Sequence, residues 1–172
     1  VTVTPGTGGA TTMTFASLSR TAGASVLFRG TSLGSAPAPN VSTLMFTSAP
    51  TVIGASGAAG TTPASVITGA FGDSSLSGSG TDMVVYNLGN TNGLRLLNGA
   101  GFSGEYATTL ATNANVKLSG NVAASTSSIN SLILNGYDIT NARATITMAS
   151  ASLAGNILIN SANNIAGAST TI

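Results

Sequence analysis

Along most of this chain, apolar and polar positions alternate one by one. Met13 and Phe15 stand between Thr12, Thr14 and Ala16, and Val26 and Phe28 alternate with Ser25 and Leu27 before Arg29-Gly30 ends the run. A period of two sends successive side chains to opposite faces of an extended strand. The same pattern predicts strands at Thr43–Thr47, Asp82–Leu88, Gly93–Leu97, Asn115–Leu118, Ser131–Asn135, Ala144–Met148 and Asn156–Asn160. Asn92-Gly93, Asn98-Gly99 and Asn135-Gly136 supply the positive φ angles that tight reversals need. No stretch of helical length keeps the i, i+3, i+4, i+7 spacing of an amphipathic helix. The predicted class is all-β.

The two parts of the chain differ in texture. Up to about Ala111 the predicted strands are separated by long low-complexity loops at Gly34–Asn40, Ser48–Ser65 and Phe71–Thr81. Beyond about Asn113 the connections shorten, and aliphatic clusters recur at Leu118, Leu132/Leu134, Ile146/Met148, Ile157/Ile159, Ile165 and Ile172. That cadence fits a β-solenoid with several short strands per coil; a β-sandwich or jelly roll also gives short strands at such spacing. In Ala144-Thr145-Ile146-Thr147-Met148, alternation predicts Ala144, Ile146 and Met148 inside and both threonines on an outer face. Stacked coils place like residues over like, which favours Thr, Asn and Ile ladders and penalises like charges. Asn130, Asn135, Asn141, Asn160 and Asn163 lie near strand ends, where side-chain amides are expected to satisfy turn backbone groups. The expectation is one β-solenoid domain over 1–172, loop-rich over 1–111 and more regular over 112–172.

Composition sharpens this. Charged residues make up 5% of the chain, against about 25% in an average domain, while 42% hydrophobic content argues for a packed core. The net charge is +1, and Arg20, Arg29, Arg95, Lys117 and Arg143 are scattered, which gives no electrostatic footprint for nucleic acid. The longest apolar runs, Met83–Tyr86 and Leu94–Leu97, fall far short of the ~20 residues of a membrane-spanning helix, so no membrane insertion is expected. Dispersed charge keeps diffusing proteins apart; a surface this poor in it favours association. The chain opens at Val1 with no initiating Met, as expected of a processed chain or a cut from a longer one.

Histidine, cysteine and tryptophan are absent, which removes most catalytic parts. Asp73, Asp82, Glu105 and Asp138 are the only carboxylates. A glycosidase needs two carboxyls roughly 5–10 Å apart across a sugar, and any pair here has to meet across coils. Gly72-Asp73-Ser74-Ser75 is too sparse in oxygens for calcium, and a serine nucleophile has only Lys117 to serve as base. Phe15, Phe28, Phe46, Phe71, Tyr86, Phe102, Tyr106 and Tyr137 are expected mainly in the core, where aromatic surface is best buried. Asn40-Val41-Ser42 fits a glycosylation sequon beside a Pro-rich loop. No catalytic, cofactor or metal residue is assigned.

The block from Phe15 through Arg20 and Gly23-Ala24-Ser25-Val26-Leu27-Phe28, followed by Leu33-Gly34, resembles a segment of bacterial autotransporter-associated β-strand-repeat surface proteins. The likeness continues through Leu44-Met45-Phe46-Thr47-Ser48-Ala49-Pro50, Thr81-Asp82-Met83-Val84-Val85-Tyr86 and Ile129-Asn130-Ser131-Leu132-Ile133-Leu134-Asn135-Gly136, in the family's order. The family's Tyr-x-Gly-Gly-Thr turn is missing. The resemblance implies a passenger-like, right-handed parallel β-helix of a secreted or cell-surface protein, without catalytic residues.

The expected function is therefore non-enzymatic: a subunit of a homopolymeric fibre, stalk or surface coat. Two joints are expected. One is head-to-tail stacking, because the aliphatic cadence runs to Ile172 without a polar cap. The other is a donor strand from Val1-Thr2-Val3-Thr4-Pro5 completing a neighbour's sheet. The alternative is a carbohydrate-binding or carbohydrate-cleaving β-helix with surface glycans as ligands, its aromatics flanking Asp73, Asp82 or Glu105.

Overall fold

The computed structural model describes residues 1–86, 89, 91–140, 144–148, 155–160 and 165–166. Among these, all regular structure is β-strand. The chain divides into two compact units, Val1–Val52 with Val66–Phe102, and Ile53–Ser65 with Ser103–Ile172.

The first unit contains β1 (Thr2–Val3), β2 (Thr11–Phe15), β3 (Val26–Gly30) and β4 (Ser42–Phe46). The short β5 (Val52–Ile53) crosses its boundary, and β6 (Val66–Ile67), β7 (Ala70–Asp73), β8 (Asp82–Tyr86) and β9 (Leu94–Leu96) complete it. A five-stranded sheet runs β1-β3-β7-β8-β9. Its first three strands are parallel and the last two antiparallel. β2 and β4 form a separate parallel pair, with Met13 opposite Leu44 and Phe15 opposite Phe46.

The centre of the five-stranded sheet corrects one expectation. Phe71–Thr81 reads as loop, yet β7 carries Ala70–Asp73 between β3 and β8. The cause is Gly72, which weakens the local strand signal: a Cβ there would overlap the side chains of Leu96 and Val84. The glycine is required by close approach of neighbouring side chains.

The core of this unit joins Val3, Phe28, Leu33, Leu44, Phe46, Ile67, Ala70, Val84, Tyr86, Leu94 and Leu96. Phe46 is its hub. Its ring stacks on Phe15 at 5.7 Å and meets Phe28 and Tyr86 edge-on at 6.0 and 5.3 Å, within the range of favourable aromatic pairs. The Tyr86 hydroxyl accepts the Phe46 N–H at 2.7 Å and donates to the Phe46 carbonyl at 2.6 Å. A phenol thus closes both main-chain groups at the end of β4.

The second unit contains β10 (Asn115–Lys117), β11 (Val122–Ala123), β12 (Ser127–Ile129), β13 (Ser131–Ile133), β14 (Ile139–Thr140), β15 (Ile146–Met148), β16 (Asn156–Leu158) and β17 (Ile165–Ala166). These strands form three separate parallel ladders, β10-β13-β16, β11-β14-β17 and β12-β15. The chain visits the ladders in fixed rotation. Val116, Leu132 and Ile157 stand in register on the first ladder and point into one core with Leu118, Ile129, Leu134, Ile139 and Ile146. As alternation predicts, Ala144 and Ile146 are buried, Thr145 and Thr147 are exposed, and Met148 is half-buried.

Candidate functional site

Two groups of residues stand out once the strands are placed: the polar rows along the ladders and the hydrogen-bonding edges of the first strand in each. In the second unit Asn115, Ser131 and Asn156 occupy one register row and are all buried. The Ser131 hydroxyl donates to Asn115 Oδ1 at 2.8 Å. The Asn130 amide donates to the Asn113 carbonyl at 2.8 Å, and the Asn135 amide to the Leu118 carbonyl at 3.3 Å, each 17 residues earlier. In the same manner Asn121 Oδ1 accepts the Asp138 N–H at 2.9 Å, across 17 residues. Asparagine therefore links segments 17 residues apart here, because its amide offers both donor and acceptor to backbone groups outside the ladders. Asn160 is exposed, and Asn141 and Asn163 lie outside the described residues.

The edges differ. In a parallel strand, alternate residues direct both main-chain groups to the same side. In β2, Thr11 N–H donates to the Val41 carbonyl and the Phe15 carbonyl accepts from Thr47 N–H, so Thr12 and Thr14 face away from β4. Both are exposed, as is Met13. In β10, Asn115 and Lys117 face away from β13, and three of their main-chain groups are taken. Asn115 N–H donates to the Thr62 carbonyl at 2.8 Å, the Asn115 carbonyl accepts from Ala107 N–H at 2.8 Å, and Lys117 N–H donates to the Ala107 carbonyl at 2.9 Å.

The carboxylates are divided between the two units. Asp73 and Asp82 belong to the first unit, Glu105 and Asp138 to the second. Asp82 stands opposite Gly72 in the β7–β8 ladder, so alternation sends the neighbouring Asp73 to the other face of the sheet. Asp73 organises its own turn: Oδ1 accepts from Ser75 N–H at 2.8 Å and Oδ2 from Gly80 N–H at 3.1 Å. Burial alone pushes this carboxyl up, but the Ser75 and Gly80 hydrogen bonds and the Arg29 charge hold it below its ordinary value. Arg29, opposite it in register, donates to the Gly78 carbonyl at 3.2 Å and Thr2 Oγ1 at 3.1 Å. Glu105 is fully buried and accepts the Gly60 N–H at 2.9 Å. Asp138 is half-buried in the turn before β14.

The remaining candidates are placed as follows. Lys117 Nζ lies 5.6 Å from the Tyr106 ring. Phe28, Phe46 and Tyr86 are buried, Phe15, Phe71, Tyr106 and Tyr137 half-buried, and Phe102 is exposed with the Arg95 guanidinium 4.1 Å from its ring. Asn40 is exposed at positive φ, while the Ser42 hydroxyl of the same sequon is buried and donates to the Val3 carbonyl at 2.7 Å. Thr2–Val3 of the expected donor segment lies on β3 of its own chain. Ile172 lies outside the described residues. Among the described residues no group of three or more His, Cys, Asp or Glu gathers, and no helix is long and apolar enough to cross a membrane.

No protein-family model matches the chain, nor does any curated protein or solved structure. Reasoning on the sequence missed Glu105 as the anchor of residues 53–65 and the paired role of Tyr86. A lone Glu in a charge-poor chain was the available signal for the first; nothing local marks the second.

Proposed function

We propose that the chain is a non-enzymatic structural module of a secreted or cell-surface fibre, stalk or coat. In this reading it is built as a right-handed parallel β-solenoid akin to the autotransporter-associated β-strand-repeat passengers. The observation that carries the reading is the second unit's three parallel ladders, tied by side-chain bonds that span 16 to 18 residues. A chain that returns to the same tracks in the same order, in register each time, is what coil stacking requires. The right hand follows from the chirality of parallel crossovers. Scarce charge supports the same reading, since stacked coils and stacked subunits both suffer from like charges.

The joint between copies is the outer edge of β2. Its five residues, Thr11–Phe15, include neither charge nor proline, and no charged residue precedes Arg20. Natural edges are usually blocked by such residues. A strand from a second copy extends the β2–β4 pair there, and a heterologous contact of this kind yields an open filament. Negative-stain microscopy with sedimentation velocity over a concentration series tests it. The expected result is filaments from the parent chain and their loss in Thr14→Lys; discrete monomers at every concentration overturn the reading.

A further inference from the structure

We infer that residues 53–65 form a built-in cap that closes the leading edge of the β10-β13-β16 ladder against a second copy of this chain. The inference rests on the fibre reading.

Parallel ladders expose a row of unpaired donors and acceptors at their first strand, and such rows recruit foreign strands. β10 is first in its ladder, and its outward groups belong to Asn115 and Lys117. Thr62 takes the Asn115 N–H, and Ala107 bridges the Asn115 carbonyl and the Lys117 N–H. The sequence spends further polar atoms on holding this arrangement. The Asn115 side-chain amide donates to the carbonyls of Thr62 at 2.9 Å and Ala64 at 2.7 Å. Fully buried Glu105 takes the Gly60 N–H at the tip of the same segment. Within the segment, Thr61 N–H donates to the Ala58 carbonyl, Ala64 N–H to the Thr61 carbonyl and Gly57 N–H to the Pro63 carbonyl. The loop is thus a folded object with its own turns.

A buried carboxylate is costly unless hydrogen-bonded, so packing alone does not account for Glu105. Its position at Gly60 ties the exposed Ala58-Ala59 turn to the chain that also supplies Ala107. Both covering segments are consequently held together over one edge. Among the described residues, β2 of the first unit has no equivalent: its outward residues Thr12 and Thr14 are exposed. The β10 edge is thus closed within its own unit, whereas the β2 edge is left to a neighbour.

Amide hydrogen exchange and sedimentation velocity of the full chain test this. Glu105→Ala is expected to raise exchange at Asn115 and Lys117 by ~10-fold or more, and to add concentration-dependent species absent from the parent. Glu105→Gln, which keeps an acceptor for Gly60, stays at parental levels. Should Glu105→Ala fail to fold, a protease site inserted between Ala58 and Ala59 opens the loop after folding. A synthetic peptide with the sequence of Ala58–Val66, added in excess, is expected to suppress the new association. Exchange that stays slow in Glu105→Ala or in the nicked chain, or that quickens without new association, overturns the cap. Absence of filaments from the parent chain counts only against the fibre reading.

Discussion

Replacing Tyr86 with Phe deletes one oxygen and keeps the ring that meets Phe46 edge-on at 5.3 Å. That oxygen accepts the Phe46 N–H at 2.7 Å and donates to the Phe46 carbonyl at 2.6 Å, in a site where Tyr86 is 8% exposed and Phe46 3%. Water does not reach the freed groups without opening the end of β4. Each buried group left unpaired costs about 1–3 kcal/mol, so the loss expected for Tyr86→Phe is about 2–4 kcal/mol. The measurement is urea unfolding of the first unit followed by far-ultraviolet circular dichroism, with amide exchange at Phe46 as a local reporter. The midpoint is expected to fall with an unchanged slope, because the surface exposed on unfolding is the same. Exchange at Phe46 is expected to quicken beyond what the global loss explains. A loss below ~0.5 kcal/mol, the size of an ordinary surface substitution, would refute the view that this hydroxyl closes the strand end.

Three further outcomes are expected. Leu132→Ala, at a fully buried ladder position, costs about 2–5 kcal/mol by lost burial and cavity, read from the second unit's unfolding midpoint. Gly93→Ala costs more than about 1 kcal/mol, because Gly93 has φ +69° and a Cβ would overlap the Leu44 carbonyl oxygen; thermal melts of the two proteins decide it. Asp73 has a folded pKa below its ordinary 3.8, so its contribution to stability is present above about pH 4 and fades as pH falls through the lower folded value. Urea midpoints of the parent are expected to drop across that acid range, with a shallower drop in Asp73→Asn; parallel curves would show that Asp73 contributes nothing there.

The alternation of Thr12–Ser17 and Ser25–Phe28 reported β2 and β3 because each turns one face to the core and leaves the other more exposed, whereas β4, marked at Thr43–Thr47, is buried along nearly its whole length. The strands it passed over are those where local pattern and environment part company. β7 is built on Ala and Gly since neighbouring side chains fill its surface, and β11 and β14 span two residues each, too short to show a period. The grouping of Ile53–Ser65 with Ser103–Ile172 was illegible for another reason. It depends on carbonyl acceptors at Thr62 and Ala64 meeting Asn115 more than fifty residues later, and carbonyls carry no residue signature. Alternation marks a face, whereas pairing across the chain leaves no local trace.

The side-chain bonds that reach back 17 residues, from Asn130 to Asn113, Asn135 to Leu118 and Asp138 to Asn121, bear on how such a chain evolves. Each works only if the intervening count is kept, so a single inserted or deleted residue between Asn121 and Asn130 dislocates all three together. Point substitutions on the outer faces leave the count intact and are free to accumulate. The gene is therefore expected to drift in letters while conserving length here.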